Sequence, residues 1–431
     1  MNILCLSDNF PPEKNAAASR VYERACYWVR WGHTVTVITS APNFPEGSVY
    51  PGYKNRWYQT EMQSGIRVVR VKTLITKNEG FLLRILDFLS FMVMAFAAGL
   101  IQPRPAVVAA NSPQFFTAVA AWAISAVRRV PFVFEVADLW PRAVVAVGMM
   151  KPNLAFRWLE KLELFLYRRS AAVIALTPAF KEDLVGRGVE SGKVHVILNG
   201  VDLARYKPRN KDLSLGEQWG LSREHFVVGY IGTFGIAHAL ESILDAAEIL
   251  QDSAVRFLLV GTGAAREGLV NEASRRNIRG VVFVPPHPKE RMPDFWSLCD
   301  VALVNLRNMP LHMTVIPSKI FEAMGMGLPI LLASPDGEAS KIIEQDQCGI
   351  CVPAEDPKAL AEAVAQLKDR PELRNRLATN SLHAAEWHTR ELQARTTLNV
   401  LEQASVAKSG PVPVVKDGPA IVDATRKERA L

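Results

Sequence analysis

The sequence predicts an α/β protein made of two doubly wound, Rossmann-like domains that face each other across a cleft. Three observations carry that prediction. Short aliphatic runs recur along the chain with helical stretches between most of them, the mark of a parallel sheet covered on both faces. The pattern breaks at about 205–225, where RYKPRNKDLSLGEQWGLSREH is polar and holds Pro and Gly, and then it restarts. A chain of 431 residues is too long for one ordinary core and suits two domains of about 200 residues each.

In order along the chain, NILCL (2–6) reads as a strand, 17–31 as a helix and TVTVITS (34–40) as the next strand. IRVVRVK (66–72) is a strand and 81–101 a helix. AVVAAN (106–111), PFVFEV (131–136), AAVIAL (171–176) and VHVILN (194–199) complete the first set. After the break come strands FVVGYIG (226–232), VRFLLVG (255–261), GVVFV (280–284), VALVNL (301–306), PILLA (329–333) and GICV (349–352). Helices are expected at 240–250, 264–276, 290–298, 318–326, 337–345 and 357–369. The domains are therefore set at 1–204 and 205–380. A last amphipathic helical stretch covers 372–402, and its 381–402 part is expected to cross back and brace the first domain. Residues 403–431, rich in Ala, Val, Pro and Lys without periodicity, read as a disordered tail.

Composition narrows the function. A net charge of +7 favours an anionic partner such as nucleotide phosphate or lipid headgroup. Five cysteines, an odd and sparse set, argue for a reducing compartment and against a disulfide framework. Cys348 and Cys351 form a C-x-x-C, but it lies late in the chain, away from the start of a βαβ unit, and no second pair completes a zinc site. MNILCLSDNFPP reads as a buried strand and loop, so no secretory signal is expected. In 81–101, Arg84 and Asp87 leave 14 charge-free residues from Phe88, short of the roughly 20 that a span needs. A buried or interfacial helix is expected there.

PSKIFEAMGMGLPIL, residues 317–331, carries the chemistry. Ser318 is expected to cap a helix that opens with Lys319 and continues through Glu322. A helix start offers free N–H groups and a positive dipole end to an anion, and Lys319 adds a full charge. Lys319 and Glu322, three apart, share a face. Lysine suits phosphate oxygens, and a carboxylate accepts from two vicinal hydroxyls such as those of ribose. A surface ion pair on a packing helix is the equally weighted bland alternative.

This segment resembles the Glu-containing motif of family-four retaining glycosyltransferases with the GT-B fold, and more closely the variant found in O-antigen and capsule transferases. SDNFPPEKNAAASR (7–20), WGHTVTVITSAPNFPEG (31–47), FEVADLWP (134–141), ILNGVD (197–202) and VGYIGTFGIAHALESIL (228–244) are similar to further family segments. The opening and DLWP segments are most similar to bacterial surface-polysaccharide enzymes, including those proposed to transfer N-acetylfucosamine. The resemblance implies an acceptor-binding first domain and a nucleotide-sugar-binding second domain. It implies retaining transfer of a hexose-type sugar from a nucleotide diphosphate, UDP expected, to a lipid-linked, polyprenyl-type acceptor. It gives Glu322 the ribose and places Pro12 and Arg20 on the acceptor-side loop. Two departures stand out. The first of the family's paired glutamates falls on Thr314, which leaves the donor sugar open. The loop where many members hold Arg and Lys is Gly232-Thr233-Phe234-Gly235, followed by His238. Its backbone amides can still meet phosphate, with His238 as a further donor and Lys319 carrying more of the charge. Gly261 lies near the nucleotide in this family. Asp138, where Ala137 replaces a common histidine, is the nearest polar group at the reacting centre. Lys319, Asp138 and His238 are thus the expected catalytic groups, with no metal and no cofactor beyond the substrate.

Between 51 and 90, seven cations stand against three carboxylates beside the apolar helix, which suits an anionic membrane face. Trp57, Tyr58 and Phe81 are expected at the headgroups. The expected location is cytoplasmic, peripheral on the inner face of the membrane. A nucleotide-sugar epimerase and a non-catalytic membrane-docked scaffold are the competing readings, and no nucleic-acid module is visible.

Overall fold

The computed structural model describes residues 1–406 apart from 14, 45, 77–80, 113, 141, 143–152 and 252, and apart from the side chains of 81, 82 and 155. The first domain runs β1 (Asn2–Leu6), α1 (Ala16–Arg30), β2 (Thr34–Ser40), β3 (Tyr58–Gln63), β4 (Ile66–Val71), α2 (Phe81–Leu100), β5 (Val107–Asn111), α3 (Phe115–Arg128), β6 (Phe132–Val136), α4 (Leu154–Arg169), β7 (Ala172–Ala175), α5 (Pro178–Gly186) and β8 (Val194–Val196). Its eight strands lie in the order β3-β4-β2-β1-β5-β6-β7-β8. All neighbours are parallel except β3, which pairs antiparallel with β4, Tyr58 opposite Val71. That edge strand corrects the expectation of a purely parallel sheet.

The second domain runs α6 (Leu213–Gln218), β9 (Phe226–Ile231), α7 (Glu241–Ile249), β10 (Val255–Val260), α8 (Arg266–Arg275), β11 (Val281–Val284), α9 (Met292–Ser297), β12 (Val301–Asn305), α10 (Ser318–Met326), β13 (Ile330–Ala333), α11 (Glu338–Gln345), β14 (Gly349–Val352), α12 (Pro357–Asp369) and α13 (Pro371–Trp387). Its sheet is fully parallel in the order β11-β10-β9-β12-β13-β14. In both sheets the strand order reverses beside the domain's first strand, at β1/β5 and at β9/β12. Crevices open outside the C-terminal ends of strands at such points.

Apart from the edge strand β3, the strands are covered on both faces, which is why they read as continuous aliphatic runs. In β1, Leu4 and Leu6 join the core under α2 and α3, while Ile3 and Cys5 join the opposite core under α1. The stretch 372–402 is two helices, not one. α13 packs on α10 and belongs to the second domain. After a break at His388 and Thr389, α14 (Arg390–Val406) lies on the first domain. There Ala394, Leu398 and Leu401 join the core that holds Ile3, Val21 and Trp28. Trp28 Nε1 donates to the Ala394 carbonyl at 2.9 Å. The crossing helix thus starts at 390 rather than 381. Residues 403–406 of the expected tail are its last turn, and 407–431 lie outside the described residues.

The chain passes between domains twice, and the two passages pair. Val201 bridges to Thr389 in parallel, and the Val201 amide donates to His388 O at 2.8 Å. Glu23 of α1 ties them to the second domain. Its carboxylate takes Arg390 at 2.8 Å, Lys289 at 3.0 Å and Arg205 at 3.5 Å.

Candidate functional site

On the second-domain side, β9 delivers the chain into the Gly232–Gly235 turn at the switch point. The Gly232 amide donates to Val260 O at 2.9 Å and the Phe234 amide to Thr262 O at 2.8 Å. Alternate amides are left over: among the described residues those of Thr233 and Gly235 have no protein acceptor. Gly261 is a spacer behind this turn. It sits at φ 144°, its amide donates to Val284 O, and a Cβ there would lie 1.9 Å from the Gly232 carbonyl. Only two bare backbones approach so closely.

α10 points its first turn at the same turn. Its cap is Pro317 rather than Ser318, and no side chain caps it. The Lys319 ammonium is withdrawn from solvent, 3.6 Å from the centre of the Tyr230 ring, and no protein group accepts a hydrogen bond from it. It packs so close to Gly232 that a Cβ there would be 2.8 Å from Nζ. Burial, opposed only weakly by Glu322, lowers the ammonium to about 7. Lys319 and Glu322 do not pair; they part company on the helix. Glu322 lies beside Trp296, whose Nε1 donates to its carboxylate at 3.4 Å, and burial raises its pKa while Lys289 opposes that rise. The bland surface ion pair is therefore not what this helix contains. His238 lies in the short 3₁₀ turn after Gly235, its ring against Tyr230. Burial and Lys319 lower it to about 4, so near neutral pH it is an uncharged imidazole.

On the first-domain side a cavity of about 690 Å³ fills the space beyond β1 and β5 and reaches the second domain. Asp8, Arg20, Gln114 and Asp138 line it from the first domain, and Leu311, Val315, Ile316 and Ser318 from the second. Arg84 and Phe88, from the first turns of α2, form part of its wall. Arg20 is 4% exposed, its Nε 2.7 Å from Glu135, and its Nη2 has no partner. Gln114 Nε2 is likewise buried and unpartnered. Two unspent donors in one cavity wall suit a ligand oxygen. Burial raises Asp138 to about 6, with Arg20 opposing. Asp8 is held well above the usual carboxylate range by burial and then by Asp87, which itself rises to about 6 through burial. A carboxyl group raised in this way takes a proton more readily than a surface one, and once protonated it both donates to and accepts from hydroxyls.

The expected residues thus fall into groups. Lys319, Gly232, Thr233, Gly235 and His238 come together at one turn, with Gly261 behind it. Ser318, Arg20 and Asp138 border the cavity. Pro12 does not line it, although Asp8, Asn9 and Glu13 from the same loop do. Thr314 stands at the domain seam: its hydroxyl donates to Leu311 O, and its carbonyl accepts from Thr177 Oγ1 of the first domain at 2.8 Å. Sequence reasoning missed Asp8, Asp87 and Glu23, whose partners are remote in the chain, and Gln114, whose place in the cavity wall is set by the fold. Among the described residues no three His, Cys, Asp or Glu side chains gather as a metal site. Burial pushes the Cys348 and Cys351 thiols up to about 12, which leaves neither as a reactive thiolate.

α2 is long and apolar enough to cross a membrane by length and composition, unlike the shorter segment read from the sequence. It packs on α3 through Phe91, Ala95 and Ala98, while Leu83, Leu86 and Val93 are exposed. Trp57 and Tyr58 are exposed as well; the Phe81 side chain and Lys77 lie outside the described residues.

Two family models match the chain in tandem: Glycosyltransferase Family 4 over 17–205 and Glycosyl transferases group 1 over 215–383. WcaI of Escherichia coli K12, a glycosyl transferase assigned by its name to colanic acid biosynthesis, is 24% identical over 377 residues, 85% of this chain and 92% of that one. A D-inositol 3-phosphate glycosyltransferase of Thermomonospora curvata is 28% identical over 46% of this chain and 48% of its own length. Among solved structures, sucrose-phosphate synthase from Thermosynechococcus elongatus superposes with a TM-score of 0.75 at 19% identity, over 94% of this chain and 99% of that one. Anabaena HepE, solved in complex with UDP and glucose, does so at 0.69 and 19%, over 95% and 99%. The architecture is the GT-B fold.

Proposed function

The chain belongs to the family 4 glycosyltransferases, and from that premise we propose that it moves a sugar from a UDP-linked donor to a lipid-linked acceptor, with retained anomeric configuration, in bacterial surface-polysaccharide synthesis. One observation carries the donor half: an ammonium group, buried and unpartnered, at a turn with two unspent amides and at the start of a helix. A diphosphate supplies the oxygens that all of these lack. Its charge grows as the sugar leaves, so the same groups stabilise the transition state more than the ground state. His238, neutral, is a hydrogen-bond donor there and not a second cation. Glu322, one turn along the helix, takes the ribose hydroxyls. The acceptor sits in the first-domain cavity with its hydroxyl near Asp138. No metal is assigned a role.

The lipid on the acceptor brings the protein to the cytoplasmic face of the membrane, where the exposed side of α2 meets the leaflet. The cavity wall contributed by Arg84 and Phe88 supports this reading, because α2 then borders both the proposed acceptor pocket and the proposed lipid contact. The epimerase and scaffold readings gain no support from the relatives found.

The test is sugar transfer from UDP-sugars to a polyprenyl-diphosphate-linked acceptor, with UDP binding followed by calorimetry. Lys319→Ala is expected to lower turnover roughly 10²–10³-fold while the protein still melts cooperatively. Wild-type turnover by that variant at saturating donor would refute the assignment.

A further inference from the structure

The charges of α4 are sorted by side. Its two carboxylates turn toward the protein. Glu163 is 1% exposed and meets Arg187 and the Tyr167 hydroxyl. Glu160 takes Arg142 at 3.2 Å and Arg187 at 3.8 Å. The outward positions are Leu154, Arg157, Trp158, Lys161, Arg168 and Arg169, and none of them is acidic. Leu154 is 70% exposed and Trp158 64%. Lys161 Nζ sits 5.3 Å from the centre of the Trp158 ring, and Arg169 stacks on the half-buried Phe165.

This face does not stand alone. The ring of Trp122 on α3 meets Phe165 edge-on at 5.0 Å, and α3 also packs along α2. The three helices cover one side of the first sheet. Each leaves apolar side chains in water: Leu83, Leu86 and Val93 on α2, Val127 on α3, Leu154 and Trp158 on α4. A second copy of the chain is a poor occupant. A two-fold interface would set Arg157 and Lys161 near their own counterparts, and lysine is depleted from protein interface cores. An anionic lipid leaflet offers what the face lacks. It has negative headgroups for the cations, an acyl boundary for the aliphatics, and an interface layer in which tryptophan concentrates.

We propose that α4 is a second membrane-contact element, and that α2, α3 and α4 together seat the first domain on an anionic leaflet. This deepens the peripheral contact suggested above for α2 and rests on it. Two contacts on either side of α3 fix the tilt of the domain, where α2 alone would leave it free to roll. The cavity wall formed by Arg84 and Phe88 is then held at the leaflet.

The test is co-sedimentation of the full chain with vesicles of equal parts phosphatidylglycerol and phosphatidylcholine, against phosphatidylcholine alone. Wild-type protein is expected to bind the anionic vesicles and to release in high salt. Each surface cation near such a leaflet adds about fivefold to binding, so Arg157→Glu with Lys161→Glu is expected to lower it at least ~25-fold. Trp158→Ser is expected to lower it several-fold. All three residues are exposed, so thermal melting and UDP binding should stay at wild-type values. If the α4 variants bind like wild type while Leu86→Glu and Val93→Glu do not, the α4 assignment is wrong and the α2 contact stands. No vesicle binding by wild-type protein overturns both. A wild-type dimer in sedimentation velocity that the α4 variants dissociate also overturns it, in favour of a second copy.

Discussion

Lys319 keeps an ammonium group where water does not reach it, against the Tyr230 ring and the Gly232 turn. Its folded value near 7 lies below the ordinary lysine value of 10.5, so the unfolded chain holds the proton more tightly. The burden on stability is therefore full below about pH 7 and is relieved as pH rises toward the unfolded value. Lys319→Met is expected to raise the stability of the ligand-free protein at pH 6.5 by something on the order of 2 kcal/mol, read by urea unfolding. A diphosphate reverses the balance by restoring the charge. UDP binding should take up a proton just above about pH 7 and weaken as pH rises further, up to tenfold per unit, and the Met variant should lose that dependence. Calorimetry in buffers of different ionisation enthalpy checks it. At this scale the sequence already put the helix start, Lys319 and Glu322 side by side, since they are neighbours in the chain. It did not show that Lys319 and Glu322 diverge, nor that Asp8 meets Asp87, because those facts depend on packing between remote segments.

The elements were readable wherever aliphatic runs are long. β3 escaped because it is a sheet edge: YQTEMQ exposes every other side chain and holds no aliphatic run. Its signal was the Ser64-Gly65 pair, both at positive φ, which turns β3 tightly into β4. Ser318 was misplaced as a cap because the extended residue before the helix is Pro317, which sets the chain's entry but leaves the first-turn amides without a side-chain acceptor. The contact between the β9 and β10 loops offers a sharp test at this scale. Gly261→Ala would drive a methyl into the Gly232 carbonyl at positive φ, with an expected loss of about 2 kcal/mol or more and of UDP affinity. Gly268→Ala, in α8 with open space around it, is expected instead to stabilise by about 0.5–1 kcal/mol. Urea unfolding of the two variants separates crowding from a general intolerance of alanine.

At the scale of the molecule, the tandem of two α/β domains was legible from the repeated pattern and its single interruption. The position at which the chain returns was not, because α13 and α14 read as one continuous amphipathic stretch. Glu23 holds the arrangement together, gathering cations from the inter-domain passage, from the second domain and from the start of α14. Glu23→Gln leaves Arg390, 6% exposed, without its carboxylate. A loss of about 3 kcal/mol is expected, with a larger radius of gyration in solution scattering as the domains loosen. An unchanged radius would place the domain arrangement under other control. The return of α14 also bears on synthesis. The sheet that leaves the ribosome first has one face covered by the helix made near the end: α14, with Leu398 and Leu401, lies across the strands formed from residues 107–111, 132–136 and 172–175. The half translated earliest is therefore finished last, and until then it exposes a greasy flank that chaperones are suited to shield.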